Sequence, residues 1–422
     1  MFLTVLGLSL YVWEGSSSSF TTNFPFPTRP GSSLDISGQG GRVSTFDEDG
    51  FSLRSRRSAS GTQGTYQIED RLSSRLKGEY RAVIANDADR PLPNLIVLDS
   101  EEVPGIGTLT LDKVIATERY SRVFAVKDRP DLAIKYQANC YHLDRSMHPL
   151  VADYIFSNLA SDSVPDIVMK PIYLSPPALI PIDNTMKTHF NLQIAEWEKC
   201  KNGRGTVRFM VMPRAMRCLN RVRLNLKVAL QFAGFLVKSL ARLHSDAGIM
   251  HGDVHAGNVC YLESGSFVFI DFGKAGFVED ELDHRNRSPS QAHFAHSPWQ
   301  MQGFRSARRD DVFKAIYSVA DVLHESALSV HAYDLLESKK NWPKCHEWKM
   351  TSLFFIDPVP LDPSSASSET PSALPAVPRE VREAISEALT MVRSLSTSES
   401  PIDYEGIAAK LSEASSLVEQ SL

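Results

Sequence analysis

Asp253, Asn258 and Asp271 are three oxygen-bearing side chains whose spacing could support chemistry. The first two lie in the segment HGDVHAGN (251–258), and the third follows a short apolar run, SFVFI (266–270). Such a run predicts a β-strand, and a hairpin ending there would return the chain to its starting point and bring the three groups together. Phosphoryl transfer requires a carboxylate that orients a hydroxyl and oxygen ligands for magnesium. The spacing therefore predicts a phosphoryl-transfer site.

The elements that must position these residues change in type along the chain. Alternating or continuous apolar runs predict strands, and apolar residues at helical spacing predict helices. The predicted strands are 108–116, 121–126, 131–137, 168–174, 206–212 and 266–270. The predicted helices are 148–160, 224–244, 308–328, 379–395 and 404–420. A strand-rich part with one helix thus precedes a helix-rich part, which predicts two lobes with a cleft between them.

The loop and the DFG triplet that begins at Asp271 resemble two protein kinase motifs, H-R-D-x-x-x-x-N and D-F-G. The segment LAIKY resembles the kinase strand V-A-I-K and makes Lys135 the candidate for the α- and β-phosphates. The resemblance implies ATP and Mg²⁺ as cofactors. It also implies that Asp253 is the catalytic base and that Asn258 and Asp271 are the metal ligands. The further nucleotide-binding positions that it implies are Ala116, Ser121, Val123, Ala133 and Met212.

Three further segments resemble the casein kinase I family of protein kinases. ARRDDVFKAIYSVADVL, which starts at Ala307, is similar to that family's S-R-R-D-D-L-E-S-L-G helix start. PIDY (401–404) stands where the family has P-D-Y, and HSPWQMQG (296–303) keeps a serine and a glycine of A-S-I-N-T-H-L-G. The resemblance covers about residues 108–415. It implies an α+β, two-lobed protein-kinase-like fold and phosphorylation of serine or threonine in proteins.

The resemblance also implies a domain organisation. Residues 108–213 would form a small, antiparallel, β-rich N-lobe and residues 214–422 a mostly helical C-lobe. Within the C-lobe, residues 358–377 are rich in Pro, Ser and Ala, which predicts a flexible insertion. Residues 16–107 form an extension that we expect to be largely disordered, because its Ser-, Gly-, Thr- and Arg-rich part has too few apolar residues to offset the entropy of ordering.

The chain departs from the kinase pattern where that pattern holds the nucleotide. The three glycine positions of the phosphate-binding loop are occupied by Ala116, Glu118 and Ser121. Because glycine lets backbone N–H groups approach phosphates closely, its absence predicts a weaker hold on the nucleotide. The helix 148–160 has no glutamate to pair with the strand lysine. Asp153 is the nearest acid, and it either takes this role or lies on the exposed helix surface.

The loop itself departs from the pattern at two positions. Gly252 replaces the arginine that pairs with a phosphorylated activation loop, so switching by such phosphorylation is not expected. His255 stands where serine/threonine kinases carry a lysine, and we expect it to be a catalytic residue but a weaker cation, since histidine is only partly protonated near neutral pH. His251 is expected to pack against Phe272 of the DFG triplet.

Two alternative functions remain open from the sequence. The form H-G-D-x-H-x-x-N is used by relatives of aminoglycoside and choline kinases, which phosphorylate a hydroxyl of a small molecule. A pseudokinase, a non-catalytic binding module, would explain the missing glycines and the missing helix glutamate. The joint presence of Lys135, Asp253, Asn258 and Asp271 argues against the second alternative.

Charge limits the partners. The 422 residues carry 45 basic and 50 acidic side chains, a net charge of -5, which predicts no bulk attraction to nucleic acid or membranes. A basic cluster lies at and just beyond the expected hinge of the fold, at Arg214, Arg217, Arg221, Arg223 and Lys227. It could bind an acidic or already phosphorylated protein substrate. A solvated helix face is the simpler interpretation of such a run.

The N-terminus and the cysteines allow two further expectations. Residues 2–13 are an uncharged apolar run too short to span a bilayer, and they fit the core of a signal peptide over 1–15. The protein would then be secreted, and otherwise cytoplasmic; no integral membrane segment is expected in the mature chain. The five cysteines are Cys140, Cys200, Cys218, Cys260 and Cys345, and they show neither a C-x-x-C pair nor a disulfide framework. We therefore expect buried free thiols.

Overall fold

The computed structural model describes residues 100–117, 121–139, 149–181, 204–280, 296–304, 306–337, 342–356, 377–397 and 400–420. The predicted signal peptide, Glu118 and all but the last residue of the predicted insertion lie outside these ranges. The strands are β1 (Ser100–Val103), β2 (Gly107–Thr117), β3 (Ser121–Val126), β4 (Arg129–Asn139), β5 (Tyr173–Leu174), β6 (Ala178–Pro181), β7 (Arg204–Pro213), β8 (Arg217–Cys218), β9 (Ile249–Met250), β10 (Val259–Tyr261), β11 (Phe267–Phe269) and β12 (Gly276–Phe277). The helices are α1 (Pro149–Ser163), α2 (Leu226–Ser245), α3 (Pro298–Met301), α4 (Arg308–Leu323), α5 (Ala327–Glu337), α6 (Trp342–Thr351), α7 (Arg379–Arg393) and α8 (Tyr404–Gln420). The architecture is α+β, with strands mainly before helices.

The strands of the first part form one antiparallel sheet in the order β1-β2-β3-β4-β7-β5, with β6 also paired to β7. In β4, Leu132, Ile134 and Tyr136 point to one face and are buried in an apolar cluster. Ala133 and Lys135 alternate with them and point to the opposite face. Because side chains alternate between the two faces of a strand, one face of β4 contributes to an apolar core and the other carries the predicted phosphate-binding lysine.

The helical part is built around α2. Asn225 caps the helix by accepting a hydrogen bond from Val228 N at 2.9 Å. Most of the apolar side chains of α2 are buried, in one cluster with residues of α1, α4, α7 and α8. Helix α8 approaches α2 closely at Gly234, where an added Cβ would lie 3.3 Å from the Ala408 carbonyl oxygen. The helix that precedes the Asp253 loop is thereby held in the core.

Most of the predicted elements are confirmed to within a few residues, but two are not. The predicted strand 168–174 forms a strand only at Tyr173–Leu174. The predicted helix 308–328 ends at Leu323, because Glu325 and Ser326 have left-handed φ angles of 50° and 70° that turn the chain into the next helix. In addition, β1 pairs with β2 although it lies within the extension expected to be largely disordered.

The expectation of free thiols is wrong for two of the five cysteines. Cys218 and Cys260 form a disulfide. They are 42 positions apart in sequence but lie opposite each other in the antiparallel pair of β8 and β10. This cross-strand register is set by the tertiary fold and could not be read from their spacing. Cys345 is a buried free thiol, as expected, whereas Cys140 and Cys200 lie outside the described residues.

Within the described ranges, no helix combines the length and the apolar character needed to cross a membrane. The longest of them, α2, has 20 residues and carries Lys227, Lys238 and Arg242 along its length. These three cations are partly exposed, and they form ion pairs with Glu419 and Glu405 of α8 and with Asp166, which follows α1.

Candidate functional site

A short hairpin brings Asp253, Asn258 and Asp271 together. Strands β10 and β11 pair in antiparallel register, and Ile270 N donates to the Asn258 carbonyl at 3.0 Å, which joins the two ends of the hairpin. Asn258 Nδ2 donates to the Asp253 carbonyl at 3.0 Å and closes the loop between these two residues. The Asn258 amide oxygen and the Asp271 carboxylate therefore start from neighbouring backbone positions.

Asp253 lies beside a lysine and a histidine. Lys274 Nζ donates to its Oδ2 at 2.7 Å, and His255 Nε2 lies 3.9 Å from the same oxygen. Burial alone would raise the pKa of Asp253, but the charges of Lys274, His255 and Lys314 and the hydrogen bond from Lys274 lower it to about 2. The carboxylate is thus ionised near neutral pH and can accept a hydrogen bond from a hydroxyl.

Lys135 lies between two carboxylates. Its Nζ is 3.3 Å from Asp153 Oδ2 and 3.0 Å from Asp271 Oδ2, and its side chain is almost fully buried. Burial would raise the pKa of Asp271, but the charge and the hydrogen bond of Lys135 hold it below its usual value. One ammonium group thus contacts both carboxyl groups, and the carboxylate of Asp271 is a ligand of the type that divalent cations such as magnesium use.

The open question about Asp153 is answered by its contacts. It is buried, and besides Lys135 it binds Phe272 N through Oδ1 at 2.8 Å and Ser157 Oγ at 3.2 Å. Burial raises its pKa, against the lowering effect of Lys135. The shorter acid thus reaches the strand lysine and also fixes the backbone of the DFG triplet. It does not lie on the exposed helix surface.

The predicted nucleotide-binding residues share one face of the sheet. Val123 is paired with Ala116 on β2 and with Lys135 on β4. Ala133 is paired with Met212 on β7, and Ser121 lies two residues before Val123 on β3. Directly paired residues and residues two apart in a strand point to the same face. Ala116, Val123 and Met212 are partly exposed, whereas Ser121 and Ala133 are buried.

That face carries the same Lys135 that contacts Asp271. It therefore combines small and apolar side chains with a lysine, a composition suited to the base and the phosphates of a nucleotide. Ala116 and Ser121 are both hydrogen-bonded strand residues rather than parts of a glycine loop. The tip between them, residues 118–120, lies outside the described residues.

His251 has the structural role expected of it. Its ring packs against Phe272 with centroids 4.5 Å apart, and its Nε2 lies 3.0 Å from the Ile270 carbonyl oxygen. The loop backbone beside it is held by Asp311, which accepts from His251 N at 2.7 Å and from Gly252 N at 2.9 Å. These contacts fix the conformation of the loop immediately before Asp253.

Three residues that contact the Asp253 loop were not identified from the sequence. Asp311 appeared only within a family resemblance, although an acid in the first turn of a buried helix could have indicated a role. Lys314, one turn further along α4, donates to the Gly252 carbonyl at 3.1 Å. Lys274 follows the DFG triplet directly, and this position next to a recognised motif could have indicated a role for it. The contacts of all three depend on the tertiary fold.

Gly252 and His255 have structural reasons for departing from the kinase pattern. Gly252 has a φ of +77°, and a Cβ there would collide with the Lys274 carbonyl oxygen. His255 Nδ1 accepts a hydrogen bond from Gly257 N at 3.1 Å, which requires that nitrogen to be unprotonated. Burial lowers the pKa of His255, against the raising effect of Asp253. In this structure the Nδ1 atom of the imidazole is thus engaged as a hydrogen-bond acceptor of the loop backbone.

The site fits a magnesium ion held mainly through a nucleotide. In the described part of the chain, no group of three or more His, Cys, Asp or Glu side chains could hold a metal ion by itself. Asn258 and Asp271 would each offer a hard oxygen ligand, and magnesium commonly takes one or two protein ligands together with phosphates and water. The donor set thus suits Mg²⁺ bound with ATP.

Comparison with known proteins agrees with the geometry. Residues 226–288 match the model of the ABC1 atypical kinase-like domain. The matched segment contains α2, the Asp253 loop and the DFG triplet. A search of curated proteins finds no match to the chain. The chain is therefore similar to divergent kinase-like proteins with an α+β fold, and this match does not support the casein kinase I resemblance.

Proposed function

We propose that the protein is an ATP- and Mg²⁺-dependent phosphotransferase with a two-lobed kinase-like fold. It transfers the γ-phosphate of ATP to a hydroxyl group. The observation that carries the proposal is the contact of Lys135 with both Asp271 and Asp153, close to the loop of Asp253. A phosphate-binding cation, a metal ligand and a hydroxyl-orienting carboxylate thus converge from separate elements. A binding module has no evident need for all three.

Each group has a distinct role in this mechanism. Lys135 contacts the nucleotide phosphates, and Asn258 and Asp271 would hold the metal, which when bound neutralises charge on the phosphates. Asp253 accepts a hydrogen bond from the acceptor hydroxyl and orients its oxygen towards the γ-phosphorus. The low pKa of Asp253 makes it an orienting group that receives the proton late, when the hydroxyl oxygen has begun to bond to phosphorus.

We propose serine or threonine of a protein as the acceptor. The sequence similarities RRDD and PIDY support this acceptor, and the match to the kinase-like domain does not extend to them. In the basic cluster, Arg221 donates to the Ile115 carbonyl at 3.3 Å, and Lys227 pairs with Glu419 at 2.8 Å. These contacts use part of the cluster internally. Arg223 lies 3.9 Å from Glu325 in a highly exposed pair, so an acidic or pre-phosphorylated substrate is proposed to bind mainly at Arg214 and Arg217.

A small-molecule hydroxyl is the second candidate acceptor. The observation that favours it is Gly252, which belongs to the H-G-D-x-H-x-x-N form and whose lack of a side chain is required by the contact with Lys274. No arginine can occupy this position without moving that backbone. The chain therefore cannot use the arginine-dependent activation-loop switch of many protein kinases, and a small-molecule kinase has no need of one.

A panel of acceptors separates these functions. Wild-type protein, Asp271→Asn and Asp131→Asn are incubated with γ-labelled ATP and Mg²⁺, and with casein, aminoglycosides, choline or sugars. Asp131 is an exposed acid paired with Arg129 and serves as the matched control. We expect label on one acceptor class with wild type and Asp131→Asn, and a loss of about a hundredfold or more with Asp271→Asn, because a metal ligand is removed. Nucleotide binding without transfer to any acceptor would support the pseudokinase instead.

A further inference from the structure

Lys274 makes a direct contact with Asp253 that the proposed mechanism does not use. Its Nζ lies 2.7 Å from Asp253 Oδ2. The side chain is 68% exposed, so the ammonium group remains accessible to solvent while it contacts the carboxylate. An ammonium group has three N–H donors. Among the described residues one of them is used by Asp253, which leaves capacity for a second anion.

The backbone that carries Lys274 is held firmly against the Asp253 loop. Gly252 has no room for a Cβ because the Lys274 carbonyl oxygen lies there. Ala275 N donates to the Phe272 carbonyl at 3.0 Å, and immediately afterwards β12 pairs with β9, the strand that leads into the loop. The contact between lysine and aspartate therefore follows from two chain segments in fixed register, and a flexible side chain has only to bridge a short gap.

The other cationic groups near Asp253 are committed elsewhere within the described part of the chain. Lys135 is buried between two carboxylates. Lys314 is buried and donates to a backbone carbonyl of the loop. His255, which stands where a lysine would accompany the aspartate, accepts a hydrogen bond from a backbone N–H and so carries no proton on that nitrogen. Of these groups, Lys274 combines a full charge, exposure and contact with Asp253.

We infer that Lys274 is a catalytic residue that bridges Asp253 and the γ-phosphate during transfer, in place of the loop cation that His255 cannot provide. This inference rests on the proposed function. In the reaction, the acceptor oxygen bonds to the γ-phosphorus while the bond from that phosphorus to the β,γ-bridging oxygen breaks. The electron pair leaves on ADP, and the hydroxyl proton passes to Asp253. Lys274 stays protonated and balances the charge on the phosphate oxygens.

Nucleotide affinities test the phosphate contact without relying on turnover. The dissociation constants of ADP and of the β,γ-imido analogue of ATP are measured by calorimetry with Mg²⁺ for wild type, Lys274→Met, Lys274→Arg and Lys170→Met. Lys170 is a matched control, since its side chain is 59% exposed and pairs with Asp162 at 2.8 Å. If Lys274 makes a charge-assisted contact to the γ-phosphate, Lys274→Met should raise the dissociation constant of the analogue about tenfold and leave that of ADP unchanged. Lys274→Arg and Lys170→Met should keep the wild-type ratio.

Two results would overturn the inference. One is a ratio of the two dissociation constants that is the same in Lys274→Met as in wild type, which would leave Lys274 as a surface ion pair. The other is that wild type binds the analogue no more tightly than it binds ADP. Neither result depends on finding an acceptor, whereas failure of the proposed function would appear as wild type without transfer in the acceptor panel.

Turnover gives a second reading of the same variants. With the acceptor identified by the panel, Lys274→Met should lower kcat about a hundredfold with little change in the KM for the acceptor, since the contact strengthens in the transition state. Faster transfer in Lys274→Met would mean that the lysine blocks Asp253, and this result would also overturn the inference.

Discussion

At the scale of single residues, the site depends on one aspartate in an unusual conformation. Asp271 has a φ of +62°, in the left-handed region that residues with a Cβ occupy at a cost of about 1 kcal/mol or more. The ion pair with Lys135 holds its carboxylate, and the hydrogen bond from Phe272 N to Asp153 holds the next peptide. The strained conformation directs the carboxylate of a predicted metal ligand towards the sheet.

Asp153 therefore stabilises more than a helix, and its removal should cost stability. In Asp153→Ala, the buried Phe272 N–H and the Ser157 hydroxyl lose their acceptor, and Lys135 loses one of its two acids. We expect the free energy of unfolding to fall by about 2–4 kcal/mol, measured by urea denaturation. Asp162→Ala, on the same helix but exposed, should change it by less than about 0.5 kcal/mol. Equal effects in the two variants would contradict this role.

At the scale of elements, the cross-strand disulfide connects the Asp253 loop to the strand that follows the large sheet. Strand β8 follows the sheet strand β7, and β10 follows the loop that contains Asp253 and Asn258. Cys218 and Cys260 covalently connect these short strands, which share few backbone hydrogen bonds. The loop that carries Asn258, the proposed metal ligand, is thus anchored on both sides, by the disulfide at β10 and by Asp311 at His251 and Gly252.

Reduction should therefore lower stability measurably. Closing a loop of 42 residues contributes about 4 kcal/mol by the chain-entropy model, so we expect a reductant to lower the Tm of wild type by several degrees. The Cys218→Ser/Cys260→Ser double variant should start at the lower Tm and not respond to the reductant. A non-reducing peptide map checks the bond itself. A map without a linked Cys218–Cys260 peptide, or a Tm that the reductant leaves unchanged, would refute the anchoring role.

At the scale of the whole molecule, the part of the candidate site whose residues lie close together in the sequence could be predicted. Asp253, Asn258 and Asp271 lie on one hairpin, where local pairing decides which residues meet. Lys135 was predicted from its strand segment, and its position on the functional face follows from the period of two. The α+β order of elements followed from apolar periodicity in the same way.

The contacts between distant segments could not be predicted. Asp311 binds backbone groups about 60 positions away, and Cys218 meets Cys260 through strand pairing that neither local pattern indicates. The contact of Asp153 with Lys135 depends on how α1 is rotated about its axis over the sheet. A shift of the helix register by one residue would turn Asp153 away from the lysine. The left-handed residues Glu325 and Ser326 likewise lie beyond the end of α4, although the apolar periodicity of the sequence predicts that the helix continues.

The measurement that tests the account most directly is the dependence of ATP binding on Mg²⁺. Calorimetry with and without the metal is performed on wild type, Asp271→Asn and Asp131→Asn. We expect Mg²⁺ to strengthen ATP binding to wild type and to Asp131→Asn by about tenfold or more. This gain should be lost in Asp271→Asn, which removes a charged ligand. Equal binding by wild type with and without Mg²⁺, or a gain that persists in Asp271→Asn, would contradict the assignment of this site to magnesium and the nucleotide.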